Sequence, residues 1–253
     1  MIKTGLVSVT FRQFSANKII NLCSQAGLEA IEWGGDIHVP HGDIKQAQAV
    51  GNMTRNAGLN VSSYGSYYKV GESKKLRLPF QCVLETAKAL NTPMIRVWAG
   101  ALNSEEADNA YWNMILEDAF DISSQAKKED IEIAFEFHNN TLVNTPDSAK
   151  KLLTQIGKEN FGIYWQPILG LDTKTNLQGL DIIIPWLRNI HVFHWRPDYT
   201  RLLLAEGIEN WKLFFDKIKT DNKDRFAMLE FVKDDNVENF LKDAQILNML
   251  CAL

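Results

Sequence analysis

Cysteine is scarce in this sequence of 253 residues, with three copies at Cys23, Cys82 and Cys251. The three positions lie far apart inside helical patterns and include no Cys-x-x-Cys pair. This spacing argues against a disulfide framework and against a thiolate zinc site. Free cysteine usually behaves as a small buried hydrophobe, so we interpret all three as reduced core residues of a cytoplasmic protein.

Long apolar runs and an excess of positive charge are absent as well. No stretch reaches the about 20 apolar residues that span a bilayer, and the N-terminal MIKTGLVSVTF lacks the apolar core and cleavage site of a signal peptide. The net charge is −4 and the sequence pI about 5.8, which disfavours a nucleic-acid or membrane partner. The 45% hydrophobic and 23% charged residues that are present are typical of a globular protein in solution.

Strand and helix patterns alternate along the whole chain. Eight short apolar segments are predicted to be strands, at residues 4–10, 28–33, 59–64, 94–98, 131–140, 161–165, 189–193 and 225–231. Helices are predicted after them, at residues 15–27, 44–56, 72–90, 104–128, 147–156, 175–187, 211–218 and 237–250. Parallel strands need crossover helices, so eight such units predict one α/β domain over residues 1–253, a single (β/α)8 TIM barrel.

The segment IEIAFEFHNN, at residues 131–140, is the most informative of the predicted strands. Ile133, Phe135 and Phe137 share one parity and are predicted to face the helices. Glu136 and His138 have the other parity and point the opposite way. An unpaired buried charge is costly, so Glu136 needs a cation, a metal ion or a proton as its partner.

Polar residues at the carboxyl ends of barrel strands are the candidates for an active site in this fold. Glu136, Gln166, His191 and Glu230 fall at the ends of strands five to eight in turn. Oxygen and imidazole donors that converge from adjacent strands are typical metal ligands. The alternatives are buried salt bridges for the two glutamates, a purely hydrogen-bonding Gln166 and a hydrogen-bonded core His191.

Further polar residues near strand ends are candidates for substrate binding, namely Glu32, Arg96, His138 and His194. Glu32 either holds the substrate or pairs with Arg96, and the sequence does not separate these two interpretations. His194 has the opposite parity to His191, so we predict that it contacts the substrate or supports a metal ligand.

Other aromatic and histidine residues have ordinary explanations beside functional ones. Rings near predicted strand ends could wall a sugar-sized pocket or simply pack in the core; they are Trp33, Tyr64, Tyr67, Tyr68, Trp98, Trp165 and Trp195. His38 and His41, in the segment HVPH, are predicted to be exposed loop residues rather than ligands.

Six segments carry a family resemblance: VSVTFRQF, GLEAIEWGG, IRVWAG, AFEFHNNTLVNT, IHVFHW and AMLEF, at strands one, two, four, five, seven and eight. Together they resemble the xylose isomerase-like barrel superfamily of sugar phosphate isomerases and epimerases. The resemblance spans almost the whole chain, and the order and spacing of the segments make it more specific for the fold than for the reaction.

The resemblance implies one divalent metal ion, Mn²⁺, Zn²⁺, Mg²⁺ or Co²⁺, held by strands five to eight. In such relatives the ligands are Glu, Asp, His and Glu, which fall here on Glu136, Gln166, His191 and Glu230. Gln166 in place of Asp removes one anionic ligand, so weaker metal affinity or a loss of metal-dependent activity is expected. His194 is a second departure, since many relatives have an acidic residue there.

The implied activity is isomerisation or epimerisation of a sugar or sugar phosphate through an enediolate that the metal ion stabilises. Glu136 and Glu230 are expected to be the catalytic base and acid. Arg201, in the segment RLLLAEGIENW after strand seven, is expected to face the substrate. The sequence does not choose between isomerase and epimerase, and it leaves the oligomeric state open, a homo-oligomer included.

Two alternative functions stay open beside this one. A dehydratase (a lyase) acting on a related polyol or keto acid would use the same enolate, and a non-catalytic sugar-binding barrel would agree with Gln166. DNA cleavage of the endonuclease IV type is disfavoured, because five scattered histidines and an acidic chain suit neither a multi-zinc site nor a nucleic acid.

Overall fold

The computed structural model describes residues 1–252, and within them eight parallel strands form a closed barrel in chain order. The strands are β1 (Ile2–Val7), β2 (Ala30–Gly34), β3 (Asn60–Lys69), β4 (Met94–Trp98), β5 (Glu132–Glu136), β6 (Phe161–Trp165), β7 (Leu187–Val192) and β8 (Arg225–Leu229). The barrel closes between β1 and β8, where Ile2 pairs with Arg225 and Leu6 with Leu229.

One α-helix follows each strand, eight in all within the described residues. They are α1 (Ala16–Gln25), α2 (Ile44–Asn56), α3 (Phe80–Leu90), α4 (Asn109–Lys127), α5 (Pro146–Ile156), α6 (Thr173–Ile183), α7 (Ile208–Ile218) and α8 (Val237–Ala252). The predicted (β/α)8 barrel is therefore confirmed. In the part of the chain that the structure describes, every helix is too short or too polar to cross a bilayer.

Side chains of β5 alternate between two environments. Phe135 packs against Phe161 in the main core that the helices cover, with ring centroids 4.6 Å apart. Ala134 lies instead in a small separate cluster with Met94 and Tyr164. The parity predicted for this strand is confirmed, and it turns the next inward residue, Glu136, toward the barrel interior.

Element boundaries differ from the prediction around β3 and α6. β3 continues beyond residue 64, and α3 begins at Phe80 rather than at residue 72. The reason is Pro79, whose extended backbone directly precedes the helix. α6 ends at Ile183, because Pro185 lies in a short 3-10 turn after it, and β7 then begins at Leu187.

The segment that follows β7 is anchored to α8 by Asp243. This side chain is buried, and its Oδ1 accepts a hydrogen bond of 2.8 Å from the backbone N–H of Leu204. Burial raises the pKa of Asp243 to about 6, although the Leu204 hydrogen bond opposes the shift. The anchor therefore places an ionised group in an environment that favours its neutral form.

Asp243→Asn is expected to stabilise the protein above pH 6. The pKa of Asp243 rises on folding from 3.8 to about 6, so its contribution to stability is full below pH 3.8 and is lost as the pH rises through 6. The amide keeps an acceptor for Leu204 without a buried charge, which should add about 1–2 kcal/mol at pH 7.5 and nothing below pH 3.8. Urea unfolding at both pH values measures the difference, and a gain that does not depend on pH would contradict this account.

Candidate active site

The four residues predicted to be metal ligands lie at the carboxyl ends of β5 to β8. Glu136 is the last residue of β5, His191 lies in β7, and Gln166 and Glu230 directly follow β6 and β8. Donor atoms of Glu136, His191 and Glu230 lie within 4.8 Å of one another, and all three residues are buried. We call these three residues the ligand cluster. Gln166 lines the same cavity as its two glutamates.

His191 lies at the centre of the ligand cluster. Its Nδ1 is 3.6 Å from Oε1 of Glu136 and 3.5 Å from Oε2 of Glu230, and its Nε2 is 3.6 Å from Oε2 of Glu32. Within the described residues, neither ring nitrogen has a hydrogen-bond partner, and the buried Oε1 of Gln166 has none either. Buried polar atoms are nearly always paired, so these donor atoms fit a cation held between them.

Charge in the ligand cluster also favours a cation. Burial opposes protonation of His191, but Glu230, and then Glu136 and Glu32, outweigh it and raise the pKa of His191 to about 10. The carboxylates thus attract positive charge to the imidazole. A metal ion that binds His191 has to displace this proton, so metal binding and proton release are coupled.

Glu136 is anchored through one of its two carboxylate oxygens. Its Oε2 accepts hydrogen bonds from Nη1 of Arg96 and from Nε1 of Trp98, the latter at 2.5 Å. Burial opposes ionisation, but Arg96 and then His191 outweigh it and hold the pKa of Glu136 well below its ordinary value. Oε1 remains on the His191 side, so one oxygen is anchored and the other faces the ligand cluster.

The pKa of Glu230 is shifted in the opposite direction, above its ordinary value. Burial raises its pKa, and the neighbouring Glu136 adds to the rise, against the attraction of His191. Two carboxyl groups whose pKa values are moved apart are typical of acid–base sites. Of the pair, Glu230 is the better suited to accept a proton.

Glu32 and Arg96 form a buried ion pair inside the barrel. Nε of Arg96 donates to Oε1 of Glu32 at 2.7 Å, and the hydroxyl of Ser63 donates to Oε2 at 2.8 Å. Burial opposes ionisation of Glu32, but Arg96 and then His191 outweigh it and lower its pKa to about 2. A Cβ on Gly65 would lie 2.7 Å from Nη2 of Arg96, so a glycine is needed there. Of the two interpretations of Glu32, the structure shows the pairing with Arg96.

A cavity of about 140 Å³ opens onto Glu136 and Glu230. Its lining combines amide and imidazole groups with aromatic rings, from His138, Asn139, Asn140, Asn144 and Gln166 and from Phe193, Trp195, Tyr199 and Phe231. Amides can donate and accept hydrogen bonds, and rings offer flat apolar surfaces. This combination suits a ligand that carries several hydroxyl groups.

The predicted substrate-binding residues occupy different places around this cavity. His138 lines it and stacks on Trp98, with ring centroids 5.3 Å apart. His194 lines a neighbouring cavity instead. Arg201 lies over the ring of Phe231, with its guanidinium carbon 4.8 Å from the ring centroid. Glu32 and Arg96 are almost completely buried and do not line the cavity.

Trp98 was predicted to line the pocket or pack in the core, but its hydrogen bond to Glu136 was not predicted. It anchors Glu136 and stacks on His138, and so links a predicted ligand to the cavity wall. A signal existed, because Trp98 follows Arg96 by two residues in β4 and therefore shares its inward parity. No sequence pattern marks the left-handed backbone of Tyr199 and Phe231, whose φ angles are 65° and 50°.

Some predictions about other rings are corrected by the structure. His38 is buried rather than exposed, and its Nε2 lies 3.1 Å from the carbonyl oxygen of Phe14, because the loop folds back over the first strand's exit. Trp33 and Trp165 pack in the main core and do not line the cavity. For these two rings ordinary packing is the correct interpretation.

A family model and several solved structures match this chain. The family model for the xylose isomerase-like TIM barrel matches residues 20–249. The structure resembles the probable 3-DHS dehydratase AsbF from Bacillus anthracis, with a TM-score of 0.82, 18% identity, and coverage of 98% of this chain and 99% of that one.

Two epimerase structures are also similar. The 3-keto-D-glucoside 4-epimerase YcjR from E. coli has a TM-score of 0.76 at 12% identity, with 100% of each chain covered. A D-psicose 3-epimerase, crystallised in the presence of D-fructose, has a TM-score of 0.75 at 15% identity, with 98% of each chain covered. None of the curated proteins matches the chain. At these identities the structural likeness concerns the fold alone.

Proposed function

The chain belongs to the xylose isomerase-like TIM barrel family, and from that premise we propose that it is a divalent-metal-dependent sugar isomerase or epimerase. The membership confirms the resemblance drawn from the sequence. One observation carries the proposed activity: the buried ligand cluster adjoins a cavity lined with amides and aromatic rings, beside Oε1 of Gln166, which has no hydrogen-bond partner among residues 1–252.

We assign the metal ligands to Glu136, Gln166, His191 and Glu230. The set combines two carboxylates, one imidazole and one amide oxygen, which suits Mn²⁺, Zn²⁺, Mg²⁺ or Co²⁺. A divalent cation bound there would supply Lewis-acid polarisation of a substrate carbonyl. Because an amide oxygen is uncharged, Gln166 leaves two anionic ligands where the family pattern has three.

We propose that Glu136 and Glu230 move the protons. Oε1 of Glu136 and Oε2 of Glu230 lie 3.6 and 3.5 Å from the same Nδ1 of His191, so both oxygens border one small volume. A substrate carbon beside a carbonyl can lose its proton to one of them, most readily to Glu230 because of its raised pKa. Return of a proton to the same carbon from the other side gives epimerisation. Return to the adjacent carbonyl carbon gives isomerisation, with the hydroxyl proton of the first carbon passing to the former carbonyl oxygen.

The remaining residues are proposed to position the substrate or the glutamates. His138 borders the cavity, which supports direct contact with the substrate. Glu32 and Arg96 are proposed to act through Glu136, which Arg96 holds. Substrate contacts by His194 and Arg201 stay predictions. The three free cysteines agree with the predicted cytoplasmic location.

A panel of aldoses and ketoses, incubated in D₂O with the full chain and Mn²⁺, tests the proposal. NMR is expected to show deuterium at the carbon beside the carbonyl of at least one sugar, together with its isomer or epimer. Glu230→Gln should lower kcat by at least about 100-fold, because the amide cannot accept the proton. Glu238→Gln is the matched control, since Glu238 is 77% exposed on α8, and should leave kcat unchanged.

Two other outcomes would contradict this function in distinct ways. A dehydrated, ultraviolet-absorbing product would assign the chain to the lyases. Sugar binding without deuterium exchange would indicate a non-catalytic sugar-binding barrel.

A further inference from the structure

We infer that the substrate is an uncharged sugar and that the site discriminates against its phosphate esters. This inference rests on the proposed function and narrows its substrate class. It is drawn from the distribution of charge around the cavity and below it.

Among residues 1–252, those that line the cavity include neither Lys nor Arg. The amides of Asn139, Asn140 and Gln166 can both donate and accept, which matches the hydroxyl groups of a sugar. A phosphate dianion accepts hydrogen bonds only, and proteins usually bind it with Arg, Lys or free backbone N–H groups.

Two backbone N–H groups that border the cavity, from the loops after β7 and β8, are already used. Barrels of this type frequently bind phosphate with the loops after strands seven and eight. Here the N–H of Tyr199 donates to the carbonyl of Arg196 at 2.9 Å, and the N–H of Phe231 donates to the hydroxyl of Thr10 at 3.0 Å. Tyr199 and Phe231 line the cavity from these two loops, and neither of their backbone N–H groups is free to bind a phosphate.

Lys69 lies over Trp98, with Nζ 5.2 Å from the ring centroid, and is not part of the cavity wall. Two arginines also lie near the cavity, and both have acidic partners. Nε of Arg12 is 2.6 Å from Asp36, and Nη1 of Arg201 is 2.5 Å from Asp235. Both guanidinium groups also lie over the ring of Phe231, at 5.5 and 4.8 Å from its centroid. Phe231 is itself part of the cavity wall, so these cations stabilise the wall and have their charge compensated by aspartate.

The charge below the cavity leads to the same conclusion. Three buried glutamates, Glu32, Glu136 and Glu230, face one buried guanidinium, that of Arg96. With His191 neutral, as a metal ligand must be, two negative charges remain. A bound divalent cation would bring the net charge of these groups to zero. They would then have no excess positive charge to attract the phosphate group of a sugar ester. A neutral sugar has no such requirement.

Calorimetric titration of the full chain loaded with Mn²⁺ tests the inference. The probes are D-fructose, D-tagatose and D-ribulose, each compared with its terminal phosphate ester. At least one free sugar is expected to bind, with a Kd at least about tenfold lower than that of its ester. Tighter binding of the esters would overturn the inference and leave the proposed function standing. If no member of any pair binds, the proposed function fails and the inference fails with it.

Arg201→Gln supplies an independent check, because Arg201 is predicted from the sequence to face the substrate and, unlike Arg96, lies at the cavity wall over Phe231. The ratio of the two Kd values is expected to stay unchanged within about twofold, since the wild-type Arg201 is committed to Asp235. A loss of ester affinity alone, by more than about fivefold, would show that Arg201 binds phosphate and would overturn the inference.

Discussion

A variant that carries both Glu136→Gln and Glu230→Gln is expected to bind Mn²⁺ at least about 100-fold more weakly than the wild type. The substitutions keep the shape of both side chains and remove the two negative charges that lie 3.5 to 3.6 Å from Nδ1 of His191. Mass spectrometry of metals should find about one divalent ion per wild-type chain, purified without added metal or chelator, and almost none in the variant.

The matched control replaces two carboxylates far from the ligand cluster. Glu209 and Glu238 are 78% and 77% exposed, and the Glu209→Gln, Glu238→Gln variant should keep its metal. Wild-type protein that contains no metal, and takes up neither Mn²⁺, Zn²⁺ nor Mg²⁺, would refute the metal site. The non-catalytic sugar-binding barrel would then be the preferred function.

Arg96→Met is expected to lower the free energy of unfolding by about 3–5 kcal/mol. Arg96 is completely buried and pairs with both Glu32 and Glu136, so its removal leaves two buried carboxylates without their cation. Methionine fills most of the vacated volume, which limits the contribution of a cavity to the loss. Urea unfolding followed by tryptophan fluorescence at pH 7 measures the difference.

Arg188→Met is the control for a pair nearer the surface. Arg188 pairs with Glu132, and the two side chains are 21% and 43% exposed, so the loss should stay below about 1 kcal/mol. Adding Glu32→Gln to Arg96→Met should recover part of the larger loss, because it removes one of the stranded charges. Equal losses of unfolding free energy in Arg96→Met and Arg188→Met would contradict the argument that the Arg96 ion pairs matter more because they are buried.

Local patterns were sufficient to predict the architecture. Helix starts at Ser15, Asp43 and Thr145 carry side-chain caps, and such caps depend on residues within one turn of chain. Loop conformations were less predictable. His38 was expected to be exposed, and it is buried because the loop that carries it folds back toward Phe14, a contact between residues 24 positions apart.

The sequence by itself determined the eight alternating units and the inward parity of Glu136 and His191, because alternation with period two is a property of any extended strand. Only the tertiary structure decided which charges meet. Arg96 lies 64 positions from Glu32 and 40 from Glu136 in the chain. It reaches both because the closed barrel brings their strands together, and because Gly65 has no side chain where the Arg96 guanidinium lies. Such pairings depend on the register of several strands at once, which no local pattern encodes.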